Sequence, residues 1–264
     1  YSFEITASNA AGTVTETFTG AVNQQVTWTA EILSQMIVGA PYEHTLTAVG
    51  YPAPTYSVFS GPLPAGIELD ADTGVLSGTP TSTGHFSIML RATNTSGPSV
   101  TRVLSGWVYE AIGWDDQTIS GFQVGHAYND AVHATGYPAP TYQVTAGALP
   151  AGITLGAATG SLTGTPTAAG TYTFTIAATN GYVDGVTKTF TGIVVQAPTW
   201  TDRTLAGFVH GQTYDDRVAA KGTPAPTYTI TAGTLPAGIA LNGTTGAVSG
   251  TPTAAGAYTF TVAA

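Results

Sequence analysis

Apolar and polar residues alternate most cleanly along Tyr172–Thr179. Tyr172, Phe174, Ile176 and Ala178 share one side, and Thr173, Thr175, Ala177 and Thr179 share the other. That period of two is the mark of a half-buried β-strand. It recurs at Phe86, Ile88, Leu90 and Ala92, and again at Tyr258, Phe260 and Val262. No stretch carries the period of an amphipathic helix. Around Tyr172–Thr179 the pattern predicts short strands over Thr118–Ser120, Ala127–Thr135, Thr141–Thr145, Ile153–Leu155, Ser161–Gly164 and Val186–Val195, the last with Phe190 facing inward. Gly136–Pro140 reads as a rigid turn, because each proline fixes its own φ and holds the residue before it extended. Ala158-Thr159-Gly160 reads as a hairpin turn, with glycine free to take a positive φ. Six or seven short strands at 8–12-residue spacing predict a β-sandwich.

The pattern is written three times. Tyr51–Tyr56, Tyr137–Tyr142 and Thr223–Tyr228 read YPAPTY, YPAPTY and TPAPTY, in steps of 86 residues. Leu63, Leu149 and Leu235 open LPAGI in the same register, and Gly78, Gly164 and Gly250 open GTPT. Trp28, Trp114 and Trp200 keep the step as well. A fixed period of this length signals a tandem array of one small domain. Residues 28–113, 114–199 and 200–264 are therefore read as three repeats. Tyr1–Asn9 matches Tyr172–Asn180 and Thr17–Val22 matches Thr189–Val194, so residues 1–27 are read as the last two strands of a preceding domain. The third repeat is expected to lack its last strand.

Composition narrows the partners. Six Lys and Arg against 15 Asp and Glu leave a net charge of −9, which disfavours nucleic acid. With no cysteine there are no disulfides, thiolate metal sites or thiol nucleophiles. No apolar run is long enough to span a bilayer. An acidic, threonine-rich, lysine-poor repeat fits a cell exterior.

The motifs LPAGITL (Leu149–Leu155), TGSLTGTPT (Thr159–Thr167) and GTYTFTIAATN (Gly170–Asn180), with their copies, resemble the immunoglobulin-like He_PIG domain of bacterial and archaeal surface proteins. The resemblance covers essentially the whole chain. It implies all-β, tandem immunoglobulin-like sandwiches in a linear array, of the kind used as spacers in adhesins, surface-layer proteins and secreted enzymes. Some relatives of cadherin-like plan bind calcium through acidic linkers of the D-x-N-D-N kind, which this chain lacks.

Candidate chemistry is sparse. His44, His85, His126, His133 and His210 occupy five different repeat positions, so no histidine constellation recurs. No Ser-His-Asp order, nucleophile elbow or phosphate loop is present. Asp115, Asp116, Asp130, Asp202, Asp215 and Asp216 cluster near the repeat starts and are the candidate calcium ligands, since Ca²⁺ takes six to eight oxygens. The competing reading is a set of polar turns. The three tryptophans are expected to bury their rings at junctions between repeats. Catalytic and cofactor sites are expected to be absent. Asn94-Thr95-Ser96 and Asn242-Gly243-Thr244 fit the glycosylation sequon.

The expected function is that of a non-enzymatic extracellular shaft in a surface fibre, filament or adhesin, with neighbouring repeats or other copies as partners. The alternative is a glycan-binding accessory module of a secreted polysaccharide-degrading enzyme. For the open third repeat, a continuing array is expected ahead of strand exchange between copies.

Overall fold

The computed structural model describes residues 1–264, and every regular element is a β-strand. Two compact units divide the chain. The first comprises Tyr1–Gly113 with Thr135–Ala139 and Asn180–Asp184, and the second holds the remainder.

In the first unit, β1 (Ser2–Asn9) and β2 (Gly12–Thr19) form an antiparallel hairpin with Phe3 opposite Phe18. The Asn9 carboxamide closes its turn by accepting the N–H groups of Ala11 and Gly12, at 2.7 and 3.1 Å. Next come β3 (Gln24–Trp28), β4 (Met36–Ile37), β5 (Tyr42–Thr45), β6 (Ala48–Tyr51), β7 (Thr55–Ser60), β8 (Ile67–Leu69), β9 (Val75–Gly78), β10 (Gly84–Thr93) and β11 (Val100–Asp116). One sheet runs β5-β9-β8. The other contains β7, β10 and β11, with β4 alongside β11 in parallel, while β3 pairs with β6. Tyr42, Ile67 and Leu76 from the first sheet meet Tyr56, Phe86, Ile88, Leu90 and Leu104 from the second in one buried cluster. That is a sandwich, built by the alternation seen along Phe86–Ala92.

The second unit repeats this plan. Its strands are β12 (Tyr128–Ala131), the start of β13 (His133–Tyr137, which continues into the first unit and pairs with β11), β14 (Thr141–Gly147), β15 (Ile153–Leu155), β16 (Ser161–Gly164), β17 (Gly170–Thr179) and β18 (Val186–Val194). They form sheets β12-β16-β15 and β14-β17-β18. Phe174, Ile176 and Ala178 on β17 are fully buried and Phe190 on β18 is nearly so, while Tyr172 and Leu155 are half-buried. Then follow β19 (Gln196–Asp202), β20 (Tyr214–Arg217), β21 (Ala219–Thr223), β22 (Thr229–Gly233), β23 (Ile239–Leu241), β24 (Ala247–Gly250) and β25 (Phe260–Ala263). They pair as β19-β21, β20-β24-β23 and β22-β25. Here the buried cluster is only Tyr214, Ile239 and Val248.

Two local features explain the motifs. In β15-β16, Gly164 lies opposite Ile153, and a Cβ on Gly164 would fall 2.0 Å from the carbonyl oxygen of Gly152. Only glycine permits that approach, so LPAGI and GTPT keep a fixed spacing. The X-Pro bond of each PAP turn is cis. The Asn180 amide donates to the Pro138 carbonyl at 2.7 Å, and Asn94 does the same to Pro52 at 2.8 Å.

The strand expected over Thr118–Ser120 is not formed. The first strand of the middle repeat is instead the end of β11, through Trp114–Asp116. It stops there because the Asp116 carboxylate takes both the N–H (3.0 Å) and the hydroxyl (2.8 Å) of Thr118. The expected strand Ala127–Thr135 is divided at Val132 into β12 and β13, which join different sheets.

Candidate functional site

Each tryptophan sits on the strand that leads into its repeat, and strand pairing decides what its ring meets. On β3, Trp28 lies opposite Ala48, and on β19, Trp200 lies opposite Ala220. Those alanines donate their N–H groups to the hydroxyls of Tyr56 (3.1 Å) and Tyr228 (2.8 Å), the last residues of PAPTY. Ala134 donates likewise to Tyr142 at 2.9 Å. The indoles therefore lie against these tyrosines, with centroids 5.7, 6.2 and 6.0 Å apart for Trp28–Tyr56, Trp114–Tyr142 and Trp200–Tyr228. Trp28 also donates to the Val100 carbonyl at 3.3 Å, again inside its own repeat. The rings expected at the junctions thus pack within their repeats, and Trp200 stays 37% exposed. Sequence alone could not pair a tryptophan with a tyrosine 28 positions away. The recurrence of both was the available signal.

Asp116, Asp130, Asp202 and Asp216 are engaged by backbone N–H groups. Asp130 accepts the Ser120 N–H (2.7 Å), the Ser120 hydroxyl (2.8 Å) and the Ala131 N–H (2.8 Å), with the Tyr128 hydroxyl at 3.2 Å. Burial opposes its charge, but these hydrogen bonds prevail and hold the carboxyl below its ordinary value. Burial also pushes the Tyr128 hydroxyl up to about 12. Asp216 is held low chiefly by the N–H of Ala206, then by that of Arg217, both at 2.8 Å. Asp202 and Asp116 are held low by Thr204 and Thr118 two residues on, backbone N–H first. Asp115 meets His133 at 3.2 Å on the surface, and Asp215 is exposed on β20. Asp116 and Asp202 each close a short turn onto the threonine two residues on, while Asp130 and Asp216 tie Ser120 and Ala206 to their strands. No three His, Cys, Asp or Glu side chains come together in a way that could hold a metal ion.

In the first repeat a different pair fills this corner. His44 stands where Asp130 stands in the second, and its Nε2 lies 3.2 Å from Glu31. Burial opposes the Glu31 charge, but Thr47 (hydroxyl, then N–H, both 2.6 Å) and His44 outweigh it and hold its carboxyl low. Of the two sequon asparagines, Asn94 is committed through its amide to Pro52 and Gln24. Asn242 accepts the N–H groups of Thr244 and Thr245 at 3.0 Å each.

One arrangement the sequence did not single out joins the two ends of each complete repeat. β4 runs parallel to β11, Met36 opposite Val108 and Ile37 opposite Tyr109, and the Val38 N–H donates to the Tyr109 carbonyl at 2.8 Å. In the middle repeat Gln123 bridges Val195 in parallel. There the Val124 N–H donates to Val195, and the Val195 N–H to Phe122, both at 2.9 Å. The entering and leaving segments of a repeat are thus clasped side by side.

Comparison with known proteins agrees with this architecture. The chain is 32% identical over 173 residues to the "Serine-rich adhesin for platelets" of Staphylococcus aureus strain MSSA476, a match covering 63% of this chain and 7% of the adhesin. The chain therefore corresponds to a small part of that relative. Among solved structures it resembles the I-band fragment I67–I69 from titin, with TM-score 0.54, 10% identity and coverage of 87% of this chain and 89% of the fragment. It also resembles the N-terminal eight Ig domains of Down Syndrome Cell Adhesion Molecule, with TM-score 0.52, 17% identity, and coverage of 95% and 36%. At such identities the likeness is one of fold. The profile of the family described as "Putative Ig domain" matches residues 26–109, 116–195 and 197–264, most of the chain. The chain belongs to this He_PIG family of immunoglobulin-like domains, arranged as tandem repeats.

Proposed function

We propose that this chain is a length of non-enzymatic, load-bearing shaft in an extracellular surface protein of the fibre, filament or adhesin kind. The observation that carries the reading is the parallel clasp between the entering and leaving segments of a repeat. Tension on a tandem array pulls those two segments in opposite directions. Because they run side by side, the load shears their hydrogen bonds together instead of opening them one at a time. Two further features support the reading. β11 runs 17 residues without a break from one repeat into the next, and only Val195 separates β18 from β19, so no free linker absorbs the pull. The staphylococcal relative is named as an adhesin, which favours an extracellular surface setting.

Single-molecule stretching tests the mechanics. Each complete repeat should unfold as a discrete event, releasing 86 residues or roughly 300 Å of contour at ~3.5 Å per residue. Val124→Pro, which deletes the N–H donated to Val195, should lower the unfolding force of the middle repeat and leave the first unchanged. Featureless extension, or a proline variant with unaltered force, would overturn the reading. Antibody labelling of intact cells that make the protein tests the location.

A further inference from the structure

Most residues that recur every 86 positions serve the fold, so the places where the repeat is broken point to something added. Three aromatics in the first unit break it together. Trp107 stands where the next repeat has Ile193, Tyr109 where it has Val195, and Tyr182 where the first repeat has Ser96. Tyr137, shared with Tyr51, becomes Thr223 in the third repeat. The sandwich itself does not ask for rings at Trp107, Tyr109 and Tyr182, since aliphatic or small residues do the same structural work elsewhere.

The fold gathers these rings. Tyr109 and Tyr182 stack at 5.2 Å with 21° between their planes, and Trp107 lies 6.2 Å from Tyr137. His85, also without a copy in the other repeats, meets the Trp107 ring edge-on at 5.1 Å. The Gln35 amide donates to the Tyr182 carbonyl and so fixes that segment. Together with Pro138 and Ala139 the rings line a hollow of about 230 Å³ that has no charged side chain on its wall. Trp107 nevertheless keeps 45% of its surface open, and Tyr182 56%. Rings serving only to seal a joint would be covered.

Trp107 and Tyr109 also border an adjoining cleft of about 530 Å³, whose other side carries Glu31, Ser34, Gln35, Arg102 and Ser105. Both charges there are already committed, Glu31 to Thr47 and His44, and Arg102 to the Thr29 carbonyl. What remains is an open aromatic floor beside the uncharged side chains of Ser105 and Gln35, the latter with its carbonyl oxygen. We infer that this surface binds a neutral oligosaccharide, the C–H faces of its pyranose rings lying on Trp107 and Tyr182 and its hydroxyls reaching the polar cleft. A chain of net charge −9 would repel sulfated or uronic glycans.

The proposal is independent of the shaft role, and its failure would leave that role untouched. The full chain is titrated by calorimetry and tryptophan fluorescence with cellohexaose, xylohexaose, mannohexaose and a sulfated polysaccharide. At least one neutral hexaose should bind saturably at millimolar concentration or below. Trp107→Ala and Tyr182→Ala should each weaken it about tenfold or more, near 1.4 kcal/mol, without lowering the melting temperature. Trp200→Ala, outside the site, should bind as the parent does. The proposal is overturned if no neutral hexaose binds, if only the sulfated polymer does, if Trp107→Ala binds normally, or if the surface captures a protein partner and no sugar.

Discussion

β1-β2 and β17-β18 are nearly the same hairpin in two settings. Tyr1–Asn9 reads YSFEITASN and Tyr172–Asn180 reads YTFTIAATN, and the cross-strand pairs Phe3–Phe18 and Phe174–Phe190 coincide in register. In both, the two phenylalanine rings stack, at 5.6 and 5.3 Å. Yet Phe3 is 49% exposed and Phe174 is fully buried. Strand pairing and ring stacking are local and form from the hairpin alone. β17-β18 lies in a repeat that also holds the sheet β12-β16-β15, whereas residues 1–27 supply the hairpin alone. In the third repeat, as far as Ala264, β20-β24-β23 is present, β25 pairs with β22, and Phe260 is half-buried. Local pattern writes the strands, and the second sheet makes the core.

The sharpest way to break this comparison is to cut the same ring from both hairpins. Phe174→Ala should cost about 3–5 kcal/mol of stability in the middle repeat. Within these 264 residues, Phe3→Ala should change stability by no more than about 0.5 kcal/mol. Urea unfolding compares the two, and equal effects would refute the role given to the opposing sheet.

A smaller effect is expected at the tyrosine clamp. Tyr142→Phe leaves the Ala134 N–H without its acceptor and should cost about 1–3 kcal/mol. Tyr228→Phe in the more open third repeat should cost less, since water can reach Ala220. Thermal melts of the two variants would show the order reversed if the clamp were incidental.

Acid should have a gentler effect. The Asp130 carboxyl is held low in the fold, so its contribution is present above its unfolded value of about 3.9 and lost as pH falls through the lower, folded one. The middle repeat should therefore lose stability below about pH 4, and Asp130→Asn should flatten that limb. An unchanged acid profile in the variant would remove Asp130 from the account. The smallest effect expected is none: since Asp116, Asp130, Asp202 and Asp216 already accept backbone N–H groups, EDTA should leave the melting temperature unaltered. A drop would restore a calcium role to these residues.

Much of this fold was legible in the sequence. The period of two along Tyr172–Thr179 located β17 and its buried face, and the step of 86 residues marked the repeats. The LPAGI and GTPT motifs marked turns, though the reason for their spacing emerged only when Gly152 and Gly164 were seen in contact. What stayed hidden depends on partners remote in the chain. Trp114 packs on Tyr142 because of strand pairing that no local pattern encodes. The end of the middle repeat's first strand is set by Asp116 capturing Thr118, a side-chain competition that hydropathy does not register. The aromatic hollow has no signature in the sequence, because Trp107 and Tyr182 lie 75 residues apart and neither recurs.

Hydrogen exchange on residues 1–264, resolved by mass spectrometry, tests the central claim most directly. Amides of β10 and β17 should be strongly protected, those of β25 less so, and those of β1 and β2 should exchange as a marginal hairpin does. Protection of β1 equal to that of β17 in these 264 residues would contradict the account, because it would mean that a core forms over Phe3 and Ile5 with no second sheet present.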